Sequence, residues 1–99
     1  MNLKTPKEIA LEIASRVRAH RCDRKLTQKA FSAQCGIKYG TYRHFEQTGS
    51  ISFTALIQIA QQLDLDSELD QLFQPRVFAS LDEIENESLA SPVKRRAST

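Results

Sequence analysis

The residues able to do chemistry in this 99-residue chain are few, and their spacing argues against making or breaking bonds. Cys22 and Cys35 have neither CxxC spacing nor histidines at metal-ligand spacing, so both are expected as reduced, buried thiols. His20 and His44 lack a carboxylate signature beside them, and no glycine-rich phosphate loop or nucleophile–base pair stands at a recognised spacing. Catalysis, a bound metal and a cofactor are therefore not expected. What remains is non-covalent recognition. Amide, hydroxyl and cationic groups crowd the stretch TQKAFSAQCGIKYGTYRHFEQTG, residues 27–49: Gln28, Lys38, Tyr39, Thr41, Arg43, His44 and Thr48, with Ser50 just beyond. Donors of this kind suit an anionic, hydrogen-bonding partner, and the charge pattern agrees. Residues 1–50 carry ten Lys/Arg against four Asp/Glu, whereas residues 51–92 carry one arginine, Arg76, against eight acids. A half that attracts polyanions is followed by a half that repels them, which implies two partners, or one partner and a self-association surface; a simply solvated charge distribution is the plainer alternative.

These donors must be positioned by helices, because Gly and Pro number only three each and apolar residues recur at helical spacing. Thr5-Pro6-Lys7-Glu8 reads as a capping box with proline in the first turn. Ile9, Ile13 and Val17 then form a stripe, and polar Cys22–Lys25 reads as the loop that ends the helix. Thr27 caps a short second helix that Gly36 stops. A third runs roughly from Lys38 to Gln47, with Tyr42 and Phe45 on its inner face, and Thr48-Gly49-Ser50 breaks it. Ser52 caps a fourth, with Leu56, Ile59, Ala60 and Leu63 inward and Ile51 and Leu56 placed for a hydrophobic staple. A fifth spans about Ser67–Phe73, with Asp66, Glu68 and Asp70 near its start, where a helix dipole favours acids. The reading is an all-α fold of five helices over residues 1–74. An acidic, then basic tail over 75–99 follows, largely flexible, with a capping box at Ser80–Glu83 that could open a short helix lined by Leu81, Ile84 and Leu89.

Two short helices either side of a turn at Gly36, with small Ala30 and Ser32 between them, have the spacing of a helix-turn-helix, whose second helix enters a major groove about 12 Å wide. Residues 12–65 resemble the domain of the Cro/repressor-type (XRE-like) regulators, which include the lambda-like phage repressors. The matching positions are Arg21, Leu26-Thr27-Gln28, Ser32, Gly36, Thr41, Phe45-Glu46, Gly49 and Leu56-x-x-Ile59-Ala60-x-x-Leu63. Lys38 stands where that turn usually has serine, and Ser32 where alanine is commoner. The resemblance implies a sequence-specific DNA-binding repressor with double-stranded DNA, a palindromic operator, as its partner. Gln28 would bond a phosphate and brace the recognition helix, and Arg21 and Glu46 would form a structural ion pair between the first and third helices. Lys38, Tyr39, Gly40, Arg43 and His44 would face the groove, with Thr41 in the same turn and Thr48 and Ser50 near phosphates. Arg43 can bond guanine through two hydrogen bonds or hold a phosphate, and Tyr39 can offer its hydroxyl and ring face to a thymine. Tyr39 and His44 are otherwise ordinary exposed side chains. Gly40, costly within a helix, would let backbone approach DNA closely.

One short recognition helix reads only a few base pairs, so a homodimer on two half-sites is expected. Its surface is placed at Leu65, Leu69, Leu72 and Phe73, which alternatively cover the domain's own base. The run YGTYRHFEQTG, the following ISFTALIQIA and Asp70-Gln71-Leu72-Phe73 are also similar, more weakly, to HipB-type antitoxins, which implies autoregulation and a HipA-like kinase toxin as partner. A free-standing repressor and a protein-interaction module without operator specificity are the competing readings. No apolar run nears the roughly 18 residues of a membrane span, and the opening Met-Asn-Leu-Lys-Thr-Pro lacks a secretory apolar stretch, so a cytoplasmic protein is expected.

Overall fold

Thr5 opens the first helix, α1 (Pro6–Asp23), by accepting the Glu8 N–H while the Glu8 carboxylate accepts the Thr5 N–H, at 3.1 and 2.8 Å. This is the reciprocal cap that the sequence predicts. The structure, a computed structural model, describes residues 3–75. Thr27 caps α2 (Gln28–Cys35) through the Ala30 N–H, and Gly36 ends it with φ 74°, a left-handed turn that glycine adopts without strain. Lys38 precedes α3 (Tyr39–Thr48) and makes no side-chain cap, the consequence of lysine standing where an acceptor would serve. Ser52 caps α4 (Phe53–Gln62) through the Ala55 N–H, and α5 (Asp66–Asp70) is a single short turn of helix. All regular structure among the described residues is helical.

One core joins these elements. Phe31 of α2 meets Tyr42 of α3 edge-on with ring centroids 5.3 Å apart, and Phe45 lies 6.1 Å from Tyr42, so aromatic packing sets the angle between the two helices. Ala14 and Val17 of α1, Ile59 of α4 and Leu63 close around them, with Ile51 and Leu56 packed against the same cluster. Polar side chains pin the remaining ends. Arg24 donates to the Gln62 and Leu63 carbonyls at the end of α4, and Gln58 of α4 donates to the Cys35 carbonyl at the end of α2. Such bonds satisfy terminal carbonyls that a helix cannot satisfy itself.

Five details differ from the sequence reading. α1 continues through Cys22 and Asp23 and turns only at Lys25, which adopts φ 60°. Cys22 is therefore an exposed helical residue, whereas Cys35 is buried as expected. The buried face of α1 is Ala14, Val17 and Arg21, while Ile9 lies exposed one turn beyond the core's reach. Ala30 is exposed, so only Ser32 acts as the small residue where α2 enters the core. α5 stops at Asp70, and Leu72 and Phe73 follow it in a turn. The proposed tail beyond Pro75, including the capping box at Ser80, lies outside the described residues.

Candidate nucleic-acid interface

Glu46 organises the site from within. Its carboxylate, with a side chain only 3% exposed, accepts Arg21 Nε at 2.7 Å, Arg21 Nη2 at 3.2 Å and Gln28 Nε2 at 2.9 Å, and also the Tyr42 hydroxyl. Arg21 donates further to the Leu26 carbonyl at 2.6 Å, just before α2 begins. One carboxylate thus ties α1, α2 and α3 together. Burial by itself would raise the Glu46 carboxyl, but hydrogen bonds from Arg21, Tyr42 and Gln28 outweigh it and hold the group below the usual carboxylate range. The bond to Glu46 raises the Arg21 guanidinium against its own desolvation. Burial, reinforced by Glu46, pushes the Tyr42 phenol far up, so the ring keeps its proton as a donor. Away from this network, burial lifts the Cys35 thiol to about 11, which keeps it unreactive.

With its inner face fixed at Tyr42, Phe45 and Glu46, α3 turns Tyr39, Gly40, Arg43 and His44 outward, together with Gln47. No hydrogen bond or ion pair among the described residues occupies the side chains of Lys38, Tyr39 or Arg43, and Tyr39 is 44% exposed. Thr41 is exposed in the same first turn. A Cβ built at Gly40 would meet nothing beyond its own helix within 4 Å, so no neighbour among the described residues requires glycine there.

The end of α3 is arranged differently. Thr48 belongs to the helix and donates its hydroxyl to the His44 carbonyl at 2.8 Å, while accepting the Ser50 N–H at 3.1 Å. Its proton and the Ser50 N–H are thus engaged internally, leaving the Ser50 hydroxyl as the outward donor. His44 borders a shallow cleft with Pro6, Lys7, Ala10 and Ser50, between the start of α1 and the end of α3. Gly49, at φ 80°, presses directly onto α1: a Cβ there would lie 2.8 Å from both the carbonyl carbon and Cβ of Ala10. Nothing larger fits.

Gln28 occupies the first position of α2 with one amide N–H on Glu46, which leaves the second N–H and its own backbone N–H open to a ligand. Of the residues placed at a dimer surface, Leu65 packs against the core and Leu69 is half-buried, whereas Leu72 is 45% and Phe73 94% exposed. Sequence reasoning missed the Tyr42–Glu46 bond, since a tyrosine at a core position reads as filler, and the Gly49–Ala10 contact, which leaves no local signal. It also passed over Gln47, which the spacing of four from Arg43 could have found.

Among the described residues, no helix is long and apolar enough to cross a membrane, and no group of three or more His, Cys, Asp or Glu is placed to hold a metal. A family model described as helix-turn-helix matches residues 17–69, from within α1 into α5 and so more than half of the chain. No curated protein matches it.

Proposed function

The chain belongs to the Cro/repressor-type (XRE-like) helix-turn-helix family of DNA-binding transcription regulators, and from that premise we propose that it is a dimeric repressor reading its operator through Tyr39, Gly40 and Arg43. The observation that carries this reading is the outward face of α3: Tyr39 and Arg43, one turn apart, have no side-chain partner among the described residues, and the helix is held rigid from behind by the Glu46 network. Arg43 supplies a fork matched to guanine, and Tyr39 supplies a ring and hydroxyl near the start of the helix, where base edges are closest. Lys38, Thr41, His44, Ser50 and the free amide N–H of Gln28 surround that face as phosphate contacts, and Thr48 supports Ser50 rather than the DNA.

The regulated partner belongs to the same proposal. The similarity to HipB-type antitoxins, the acidic balance after residue 50 and the exposed Leu72–Phe73 end support a protein that represses its own operon and binds a HipA-like kinase. Binding to a duplex from upstream of the protein's own gene, measured against scrambled DNA through a salt series, tests the repressor reading. A preference that survives at moderate salt supports it, and equal binding to both duplexes at every salt concentration defeats it. Co-purification with the product of an adjacent kinase-like gene tests the antitoxin reading. Failure to form that complex leaves a free-standing repressor.

A further inference from the structure

Arg18 of α1 is a basic side chain that meets the fold only at the outer limit of an ion pair with Glu46. Its Nε lies 4.0 Å from Glu46 Oε1, too far for a hydrogen bond, and its side chain is 65% exposed. Glu46 cannot draw it closer. That carboxylate already accepts four donors, two from Arg21 and one each from Gln28 and Tyr42, which matches the roughly four lone-pair sites it has. Arg21 also cancels the Glu46 charge, so the Arg18 guanidinium stands as a net positive charge whose donors make no hydrogen bond among the described residues.

Its neighbour on that oxygen is Gln28. Because Gln28 Nε2 lies 2.9 Å and Arg18 Nε 4.0 Å from the same Oε1, the two nitrogens are within about 7 Å of each other. Each has N–H groups left over. A phosphate presenting two oxygens, each accepting at about 2.9 Å, spans a separation of this size. We infer that Arg18 and Gln28 together clamp one backbone phosphate of the bound DNA, with Arg18 supplying the charge and Gln28 the neutral donor. The clamp rests on the reading of Gln28 as a phosphate contact and adds a residue from α1, outside the helix-turn-helix itself. It carries no base information, since phosphate contacts set position and affinity alike on every sequence.

The test uses the full chain and a random-sequence 30-base-pair duplex, with dissociation constants measured from 0.05 to 0.5 M salt. Arg18→Gln should weaken binding about eightfold at 0.1 M salt and flatten the log–log salt slope by about 0.9, the signature of one lost phosphate contact. Arg16→Gln removes the same charge from the same helix but away from Glu46, where Arg16 lies 3.8 Å from Glu12; it should change the slope by much less. Combining Arg18→Gln with Gln28→Ala should cost less than the two single losses multiplied, because both contact one group. Unchanged thermal melting of Arg18→Gln shows that the loss is not one of folding. If the wild type binds the duplex and Arg18→Gln matches Arg16→Gln, or if the double variant is fully multiplicative, the clamp is overturned while DNA binding stands. If the wild type shows no salt-dependent DNA binding, the clamp falls together with the repressor reading.

Discussion

A methyl group added at Gly40 would meet no atom of the described residues beyond its own stretch of helix within 4 Å, and the residue sits in the first turn of α3, where alanine is better than glycine by up to about 1 kcal/mol. Gly40→Ala should therefore raise the thermal midpoint of the free protein. If glycine is there to let α3 approach DNA, the same substitution should weaken operator binding, and melting and titration read the two effects separately. A variant that melts higher and binds as tightly as before would remove any role for Gly40 in recognition. Arg43 and Tyr39 make a different expectation, because their side chains have no internal partner among the described residues. Arg43→Ala or Tyr39→Ala should cost about 1–3 kcal/mol on the cognate operator and much less on scrambled DNA, whereas Gln28→Ala should weaken both alike. Equal losses from all three on all sequences would leave no base-reading residue.

At the scale of elements, the recognition helix is set by two devices at its inner side and one at its end. Removing one member of a buried, hydrogen-bonded ion pair strands the other, so Glu46→Gln should cost about 3–5 kcal/mol of stability by urea unfolding. The sign with pH follows from the lowered Glu46 carboxyl. In the unfolded chain a glutamate titrates at about 4.3, so the stabilisation is fully present above that value and is lost as pH falls through the lower folded value. Wild-type urea midpoints should thus drop between pH 5 and more acid conditions, and Glu46→Gln should show less of that drop. Gly49→Ala should be more damaging than Gly36→Ala. Both need a left-handed φ, but only Gly49 lacks space, with Ala10 backbone 2.8 Å away against a flexible Gln58 amide 3.5 Å from Gly36. Much of this arrangement was legible in the sequence. Thr5, Thr27 and Ser52 each announce a helix start, Gly36 and Gly49 each announce a stop, and the resemblance to Cro/repressor-type regulators implies the Arg21–Glu46 pair that the structure forms. The end of α1 was not legible, because Cys22 and Asp23 are polar enough to suggest a loop and the chain turns at Lys25 without glycine or proline to mark it. The Tyr42–Glu46 bond was hidden for a related reason: periodicity places the ring in the core but says nothing of where its hydroxyl ends.

At the scale of the whole molecule, the proposal assigns the charge division and the exposed end of the described chain to assembly. Of the four residues expected at a dimer surface, Leu65 and part of Leu69 cover the domain's own base, whereas Leu72 is 45% and Phe73 94% exposed. Phe73→Asp should shift the protein toward monomer in sedimentation equilibrium without lowering its melting temperature, and should reduce operator affinity by removing the second half-site. Unaltered mass would move the dimer surface elsewhere. The most direct measurement of the central claim is selection of binding sites from a random duplex library by the wild type and by Arg43→Ala. The account predicts that the wild type enriches a palindrome with half-site centres about 10 base pairs, or a multiple of that, apart. Arg43→Ala should relax one symmetry-related position and leave the others. No enriched sequence from the wild type, or an identical motif from both proteins, would contradict it.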